Sequence, residues 1–281
     1  MVHAELSPNA KQEFLSKRIP DSLFLDLDEV ADPHELGLKH MLPSREIFAR
    51  ACEKFGITPS THVVLYDAHG VFSAPRALFM FRTLGHDNSS IIDGGLPRWA
   101  DEGLPIETGA STGTPSPCIY IYEAPERETP IRRYEDMVDN SKRDPSTDPH
   151  ADLVLDARPK GRFTGADPEP RPGLSSGHIP HSHSLTFNLF LKKHTTKDGT
   201  EYATLLPPVD IRKAVEAAVG TEETEKILRG ERRVTATCGS GMTAGVLWLG
   251  LQLLGAKQVG LYDESWTGYA MRSTSEIYKS Q

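Results

Sequence analysis

The sequence predicts an α/β protein of two tandem units, each an open, mainly parallel sheet with helices on both faces. Short β-branched or aliphatic runs alternate with helical periodicities at the spacing of successive βα units. Landmarks also recur at fixed separations. Leu84-Gly85 returns as Leu254-Gly255 and Asp93 as Asp263, each 170 positions later, and Ile19-Pro20-Asp21-Ser22 returns as Ile179-Pro180-His181-Ser182, 160 positions later. Two copies of one unit, the second carrying an insertion, account for both separations. The expected boundaries are residues 1–108 and 151–281, joined by a linker over 109–150 rich in Pro, Ser, Thr and charge. A chain of 281 residues is long enough to bury two cores.

In order, Asn9 to Arg18 reads as a short helix stopped at Ile19-Pro20, and Leu23-Phe24-Leu25 as a brief strand. Ser44 is placed to cap a helix that turns Ile47, Phe48, Cys52 and Phe55 inward and ends at Gly56. His62–Tyr66 is a buried-type strand, and Ser73 to Leu84 is a helix apolar nearly all round. A strand at Ser90–Ile92 then precedes the turn Asp93-Gly94-Gly95-Leu96-Pro97. The second unit opens with the strand Leu153-Val154-Leu155-Asp156, for which the first unit offers no counterpart. The expectation is a first domain lacking its opening strand, with an exposed sheet edge.

Composition narrows the function. A net charge of −8 gives no support for coating nucleic acid or a membrane surface. The longest apolar run, Ala244 to Leu254, is far too short to span a bilayer. Cys52, Cys118 and Cys238 lack disulfide or metal spacing, which suits a reducing compartment. The start, Met1-Val2-His3-Ala4-Glu5-Leu6, has neither an apolar signal core nor an arginine-rich transit character, so the expectation is a soluble protein of the cytoplasm, the mitochondrion or both.

The chemistry points to Thr235-Ala236-Thr237-Cys238-Gly239-Ser240-Gly241-Met242-Thr243-Ala244. A β-branched run leads into one cysteine, two glycines allow a tight turn, and an apolar helix follows. Such a turn can aim consecutive N–H groups at one centre, and the helix adds its positive end. These surroundings favour a thiolate nucleophile over a buried structural cysteine. A tyrosine phosphatase would need an arginine six residues after its cysteine, where this chain has Ala244.

The loop Cys238-Gly239-Ser240-Gly241-Met242-Thr243 resembles the active-site loop of the rhodanese-type sulfurtransferases, and within them the 3-mercaptopyruvate branch. Thiosulfate-using members carry basic residues inside this loop; here there are none, and Met242 stands where Val is usual. The tandem arrangement resembles the two-domain members along almost the whole chain, so two rhodanese-like domains are expected. The resemblance implies Cys238 as the sulfur carrier, with Gly239, Gly241, Met242 and Thr243 forming the loop around donor and sulfur. It also implies Arg162 and Arg171 as the two guanidinium groups that hold the donor, a role the bidentate fork suits for a carboxylate and a keto oxygen. Asp28 and His40 match family positions that complete a Ser–His–Asp arrangement with Ser240 for moving protons. Residue spacing alone leaves open that Arg162 and Arg171 pair only with Asp167 or Glu169.

In the first unit Tyr66-Asp67-Ala68-His69-Gly70 occupies the place of the loop, with Asp67 or Ala68 opposite Cys238; neither can carry sulfur, so that unit is expected to be catalytically silent. Arg158 reads as a structural cross-link near Asp156. His178, His181 and His183 belong to a turn approaching a strand, and a metal site there is not expected. The implied reaction needs no cofactor. It requires a small-molecule sulfur donor and a thiol acceptor, with thioredoxin, another thiol or a sulfur-relay protein as candidates and tRNA thiolation as a destination, without direct nucleic-acid contact. Thiosulfate sulfurtransferase and a non-catalytic rhodanese-like binding module are the alternatives.

Overall fold

The computed structural model describes residues 2–5, 9–110, 117–121 and 130–280. The chain divides into two compact units. Met1–His34, Lys39–Glu128 and Leu191–Leu205 make the first; Glu35–Leu38, Thr129–Phe190 and Leu206–Gln281 make the second.

The first unit runs β1 (Val2–Glu5), α1 (Ala10–Ser16), β2 (Leu23–Asp26), α2 (Arg45–Lys54), β3 (Val63–Tyr66), α3 (Ala74–Thr83), β4 (Ser89–Ile91) and α4 (Gly95–Asp101). Its sheet has the order β2-β1-β3-β4, with every pairing parallel. This corrects the expectation of a missing opening strand. Val2–Glu5 pairs with β2 on one side, Val2 opposite Leu23, and with β3 on the other, Val2 opposite Leu65. Pairing of this kind is made by main-chain groups. Four residues with a single β-branched side chain give no periodicity from which to read the strand. Ser44 caps α2 as expected, its Oγ accepting from the Ile47 N–H at 3.4 Å. Almost every side chain of α3 is buried, which fits its apolar circumference.

The second unit begins with β5 (Ile131–Arg132), α5 (Tyr134–Ser141), β6 (Leu153–Asp156), α6 (Lys160–Thr164), β7 (His183–Ser184) and a 3-10 turn at Phe187–Phe190. The antiparallel hairpin β8 (Leu191–Thr195) and β9 (Glu201–Leu205) interrupts it and groups with the first unit. Then follow α7 (Pro208–Val219), α8 (Thr221–Arg229), β10 (Val234–Thr237), α9 (Ala244–Leu253), β11 (Val259–Tyr262) and α10 (Ser265–Met271). The sheet order is β5-β11-β10-β6-β7, all parallel. All residues of β6 and β10 are buried, as strands covered on both faces must be. Gly250 of α9 lets Phe190 approach closely, since a Cβ there would lie 2.3 Å from the ring.

The expected linker is narrower than residues 109–150. Ile131–Arg132 adds a strand beside β11, and α5 follows it, so residues 130–150 fold with the second unit. Polar composition concealed this because β5 is two residues long and α5 exposes most of one face.

The internal repeat is detailed. Ser22 Oγ donates to the Ile19 carbonyl at 2.5 Å, and Ser182 Oγ to the Ile179 carbonyl at 2.6 Å. Asp21 and His181 share a left-handed backbone, φ 57° and 61°. The inserted hairpin binds the first unit after β3 and after β4: Ala203 N–H donates to the His69 carbonyl at 3.0 Å, and Leu205 N–H to Asp93 Oδ1 at 2.8 Å. Gly70 makes that approach possible, because a Cβ there would lie 2.2 Å from the Ala203 oxygen.

Candidate active site

Cys238 follows β10 directly and precedes α9, so its loop sits at the carboxyl end of a central parallel strand, where open α/β sheets place ligands. The Cys238 side chain is 2% exposed, while Gly239, Ser240 and Thr243 around it are half-buried. The sulfur is at the floor of a loop whose rim reaches solvent. Gly241 takes φ 84°, a value that its lack of Cβ permits. The turn after β11 clamps the loop from beneath. Trp266 N–H donates to the Cys238 carbonyl at 2.9 Å and Thr267 N–H to the Gly239 carbonyl at 3.0 Å. Ser265 Oγ accepts from the Cys238 N–H at 3.1 Å.

The first unit shows what this backbone shape is built to hold. Leu96 N–H donates to the Asp67 carbonyl at 3.0 Å, the bond that Trp266 makes to Cys238 in the second unit. Asp67, not Ala68, is therefore the residue opposite the cysteine. Its fully buried carboxylate accepts four main-chain N–H groups. His69 donates to Oδ1 at 2.9 Å; Phe72, Ser73 and Ala74 donate to Oδ2 at 2.8, 3.0 and 3.0 Å. Asp67 thus supplies its own anion to a ring of amides. Matching the two strands and the two helices makes the amides of Ser240, Met242, Thr243 and Ala244 the counterparts of those donors. The second loop is one residue shorter between strand and helix, and it carries sulfur where the first carries a carboxylate.

Arg162 and Arg171 both come to the cysteine loop. Arg162 lies on α6, and a Cβ on Gly239 would sit 3.2 Å from its Nη2. Glu169 fixes the guanidinium, its Oε2 accepting from Arg162 Nε at 3.1 Å and Nη2 at 2.5 Å. The same carboxylate accepts from Arg158 Nη1 at 2.7 Å. Arg158 is the buried cross-link expected: it also donates to Asp156 Oδ2 at 2.6 Å and to the Gly177 carbonyl at 2.7 Å, and lies 4.1 Å over the Trp266 ring. Arg171 donates from Nη1 to Thr267 Oγ1 at 2.8 Å. Pairing with Glu169 therefore orients Arg162 rather than removing it from the loop.

In the first unit, His40 Nδ1 donates to Asp28 Oδ1 at 3.1 Å, so the ring is oriented by a carboxylate. His40 is buried, with φ 48°, and its carbonyl accepts from Arg76 Nη2 at 2.9 Å. The paired Asp28 and His40 belong to the first unit, and Ser240 to the second.

The three histidines face different surroundings. His178 stacks on Phe163 at 4.0 Å, with Nδ1 hydrogen-bonded to the Phe163 carbonyl at 2.9 Å. His181 is in the turn, and His183 is on β7. Among the described residues no group of His, Cys, Asp and Glu is arranged to hold a metal, and no helix is long and apolar enough to cross a membrane. Cys52 is core, and burial pushes its thiol up. Cys118 is half-buried and donates to the Ile57 carbonyl at 3.3 Å. Sequence reasoning missed Glu169 as an orienting group and the whole turn from Ser265 to Thr267. Extending the repeat from Asp93-Gly94-Gly95-Leu96-Pro97 to Asp263-Glu264-Ser265-Trp266-Thr267 is the signal that leads to that turn.

Fold and loop together define a tandem α/β protein with one loop that carries a cysteine and one filled by its own carboxylate. The rhodanese-like domain model matches twice, over residues 9–102 and 136–272. Rat 3-mercaptopyruvate sulfurtransferase is 37% identical over 280 residues, covering 99% of this chain and 85% of the rat protein. Bovine thiosulfate sulfurtransferase is 34% identical over 280 residues, covering 97% and 84%. The crystal structure of SseA from Escherichia coli, described as a 3-mercaptopyruvate sulfotransferase, superimposes with a TM-score of 0.74 at 28% identity, over 94% of this chain and 91% of that one. The chain belongs to the rhodanese-like sulfurtransferase family, as a member with two domains.

Proposed function

We propose that this protein is a 3-mercaptopyruvate sulfurtransferase that carries sulfur on Cys238. The observation that carries the reading is the pair of loops: four amides hold the Asp67 carboxylate in one unit, and the matching loop of the other unit has a cysteine in that carboxylate's place. The Cys238 thiolate attacks the sulfur of 3-mercaptopyruvate, the carbon–sulfur bond breaks, and the electron pair leaves on the enolate of pyruvate, which takes up a proton. The resulting persulfide passes its outer sulfur to an acceptor thiol, so one transfer becomes two displacements. Amides of Ser240, Met242, Thr243 and Ala244 stabilise first the thiolate and then the persulfide anion. Gly239 and Gly241 permit the turn, and Met242 gives the loop an apolar floor.

Arg162 and Arg171 bind the carboxylate and keto oxygen of the donor. Asp28, His40 and Ser240 handle the proton, with Asp28 holding the His40 ring as a carboxylate orients a general base. The acceptor is a small thiol, thioredoxin or a sulfur-relay protein, with tRNA thiolation as one downstream use. The working compartment is the cytoplasm, the mitochondrion or both; one similar plant enzyme is named as mitochondrial.

The second reading is thiosulfate sulfurtransfer, favoured by the similarity to the bovine enzyme. The absence of a basic residue between Cys238 and Thr243 weighs against it, because a dianionic donor gains from positive charge beside the sulfur. Steady-state rates with each donor decide. The expected result is a higher kcat/KM with 3-mercaptopyruvate, and a clear preference for thiosulfate would reverse the assignment.

A further inference from the structure

Thr267, the third residue of α10, is buried and makes three hydrogen bonds that converge on one peptide group and one cation. Its N–H and its Oγ1 both donate to the Gly239 carbonyl, at 3.0 and 2.5 Å. The same Oγ1 accepts from Arg171 Nη1 at 2.8 Å. The hydroxyl's single proton is committed to Gly239, so toward Arg171 it acts only as an acceptor.

The Gly239 carbonyl belongs to the peptide whose N–H is that of Ser240. That N–H is the counterpart of the His69 N–H, which donates to Asp67 Oδ1 at 2.9 Å in the first unit. Two donors pulling the carbonyl one way turn the Ser240 N–H the other way, because the peptide group is planar. In the first unit the residue in the place of Thr267 is Pro97, which has neither an N–H nor a hydroxyl. The device is therefore confined to the unit with the cysteine.

We infer that Thr267 is a positioning residue that sets both the Ser240 N–H toward the reacting sulfur and Arg171 toward the donor. This rests on the reading of Cys238 as the sulfur carrier and Arg171 as a donor-binding group. It gives Arg171 a fixed distance from the loop, two hydrogen bonds from the Gly239 carbonyl. Its charge also polarises the chain of bonds that ends at the Ser240 N–H, as charged donors do in linked networks.

The test uses single-turnover sulfur loading of Cys238, followed by intact mass across a range of 3-mercaptopyruvate concentrations, in wild type, Thr267→Val, Thr267→Ala and Thr267→Ser. Thr267→Val and Thr267→Ala are expected to lose about ten- to a hundredfold in loading efficiency, the range for a charge-assisted contact. The loss should be split between a weaker apparent donor affinity and a slower saturated rate. Thr267→Ser, which keeps the hydroxyl, should restore most of both. In the double variant Thr267→Val/Arg171→Ala the effect on donor affinity should be no larger than that of Arg171→Ala alone, as expected for residues acting in series. Thr267→Ala keeps the comparison available should valine disturb folding. Wild-type loading in both the valine and alanine variants, equal loss in the serine variant, or additive losses would overturn the inference. If wild type itself takes up no sulfur, the donor reading falls and this inference falls with it.

Discussion

The loop after β3 and the loop after β10 are the same construction put to two uses. Both follow a central parallel strand, both lead into a buried ten-residue helix, and both have their first carbonyl held by the turn after the next strand. In one, Asp67 fills the ring of amides with a carboxylate that never leaves. In the other, Cys238 puts a thiol in the carboxylate's place, and the proposed reaction loads a second sulfur onto it. The difference teaches that the two loops diverge by more than one side chain: in the first unit Asp67 occupies the anion position, and the inserted hairpin binds the loop at His69 and Gly70. The arginines mark the same asymmetry, since Arg162 and Arg171 reach the cysteine loop with Glu169 and Thr267 as their supports.

The sharpest way to break the comparison is to remove the internal anion. Asp67→Ala removes the carboxylate that accepts from four N–H groups, those of Ser73 and Ala74 in buried pairs, and at the cost of unsatisfied buried groups the loss is about 3 kcal/mol of stability. Chemical denaturation of the full chain measures it, and an unchanged midpoint would mean that the carboxylate is not what holds the first loop. A smaller but more specific effect is expected at the arginines. Arg162→Ala and Arg171→Ala should each lower kcat/KM for 3-mercaptopyruvate by the equivalent of roughly 1.5–3 kcal/mol. Wild-type efficiency in either variant would remove that residue from the donor site.

The smallest effect is the pH dependence of stability. Burial is the main cause that lowers the pKa values of His86, His178 and His183 in the fold. Between the folded values and the ordinary histidine value near 6.5 the unfolded chain binds more protons, so stability rises with pH. Their contribution is complete above about pH 6.5 and is lost as pH falls through the lowered values. Thermal unfolding from pH 8 to 5 should show Tm falling on acidification, with a weaker fall when His178, stacked on Phe163, is replaced by glutamine. A flat profile would contradict the lowering of these pKa values by burial.

How far the sequence could be read follows from where each signal is stored. The cysteine loop is a run of consecutive residues, so its turn and helix were legible directly. The repeat was legible because Ile-Pro and Leu-Gly landmarks mark sharp turns that both copies need. β1 was not, because Val2–Glu5 has too few side chains to show alternation and is fixed by pairing with β2 and β3. β5 was lost in a polar segment for the same reason. Whether Asp67 or Ala68 stands opposite Cys238 depends on one hydrogen bond from Leu96, which no local pattern encodes. Thr267 and Glu169 act through contacts made only after β11 and α6 are in place, and Thr267 lies 28 positions from the carbonyl it holds. The docking of β8 and β9 on the first unit was hidden because those residues lie within the span of the second repeat.

In the proposed reaction the loop of Cys238 receives a sulfur anion where the matching loop of the first unit holds the Asp67 carboxylate. Intact mass of the protein after incubation with 3-mercaptopyruvate and removal of free donor tests it most directly, with Cys238→Ser as the control. Wild type is expected to gain one sulfur atom, lost on addition of a thiol acceptor, and the serine variant to gain none. No added sulfur in wild type, or the same addition in Cys238→Ser, would contradict it.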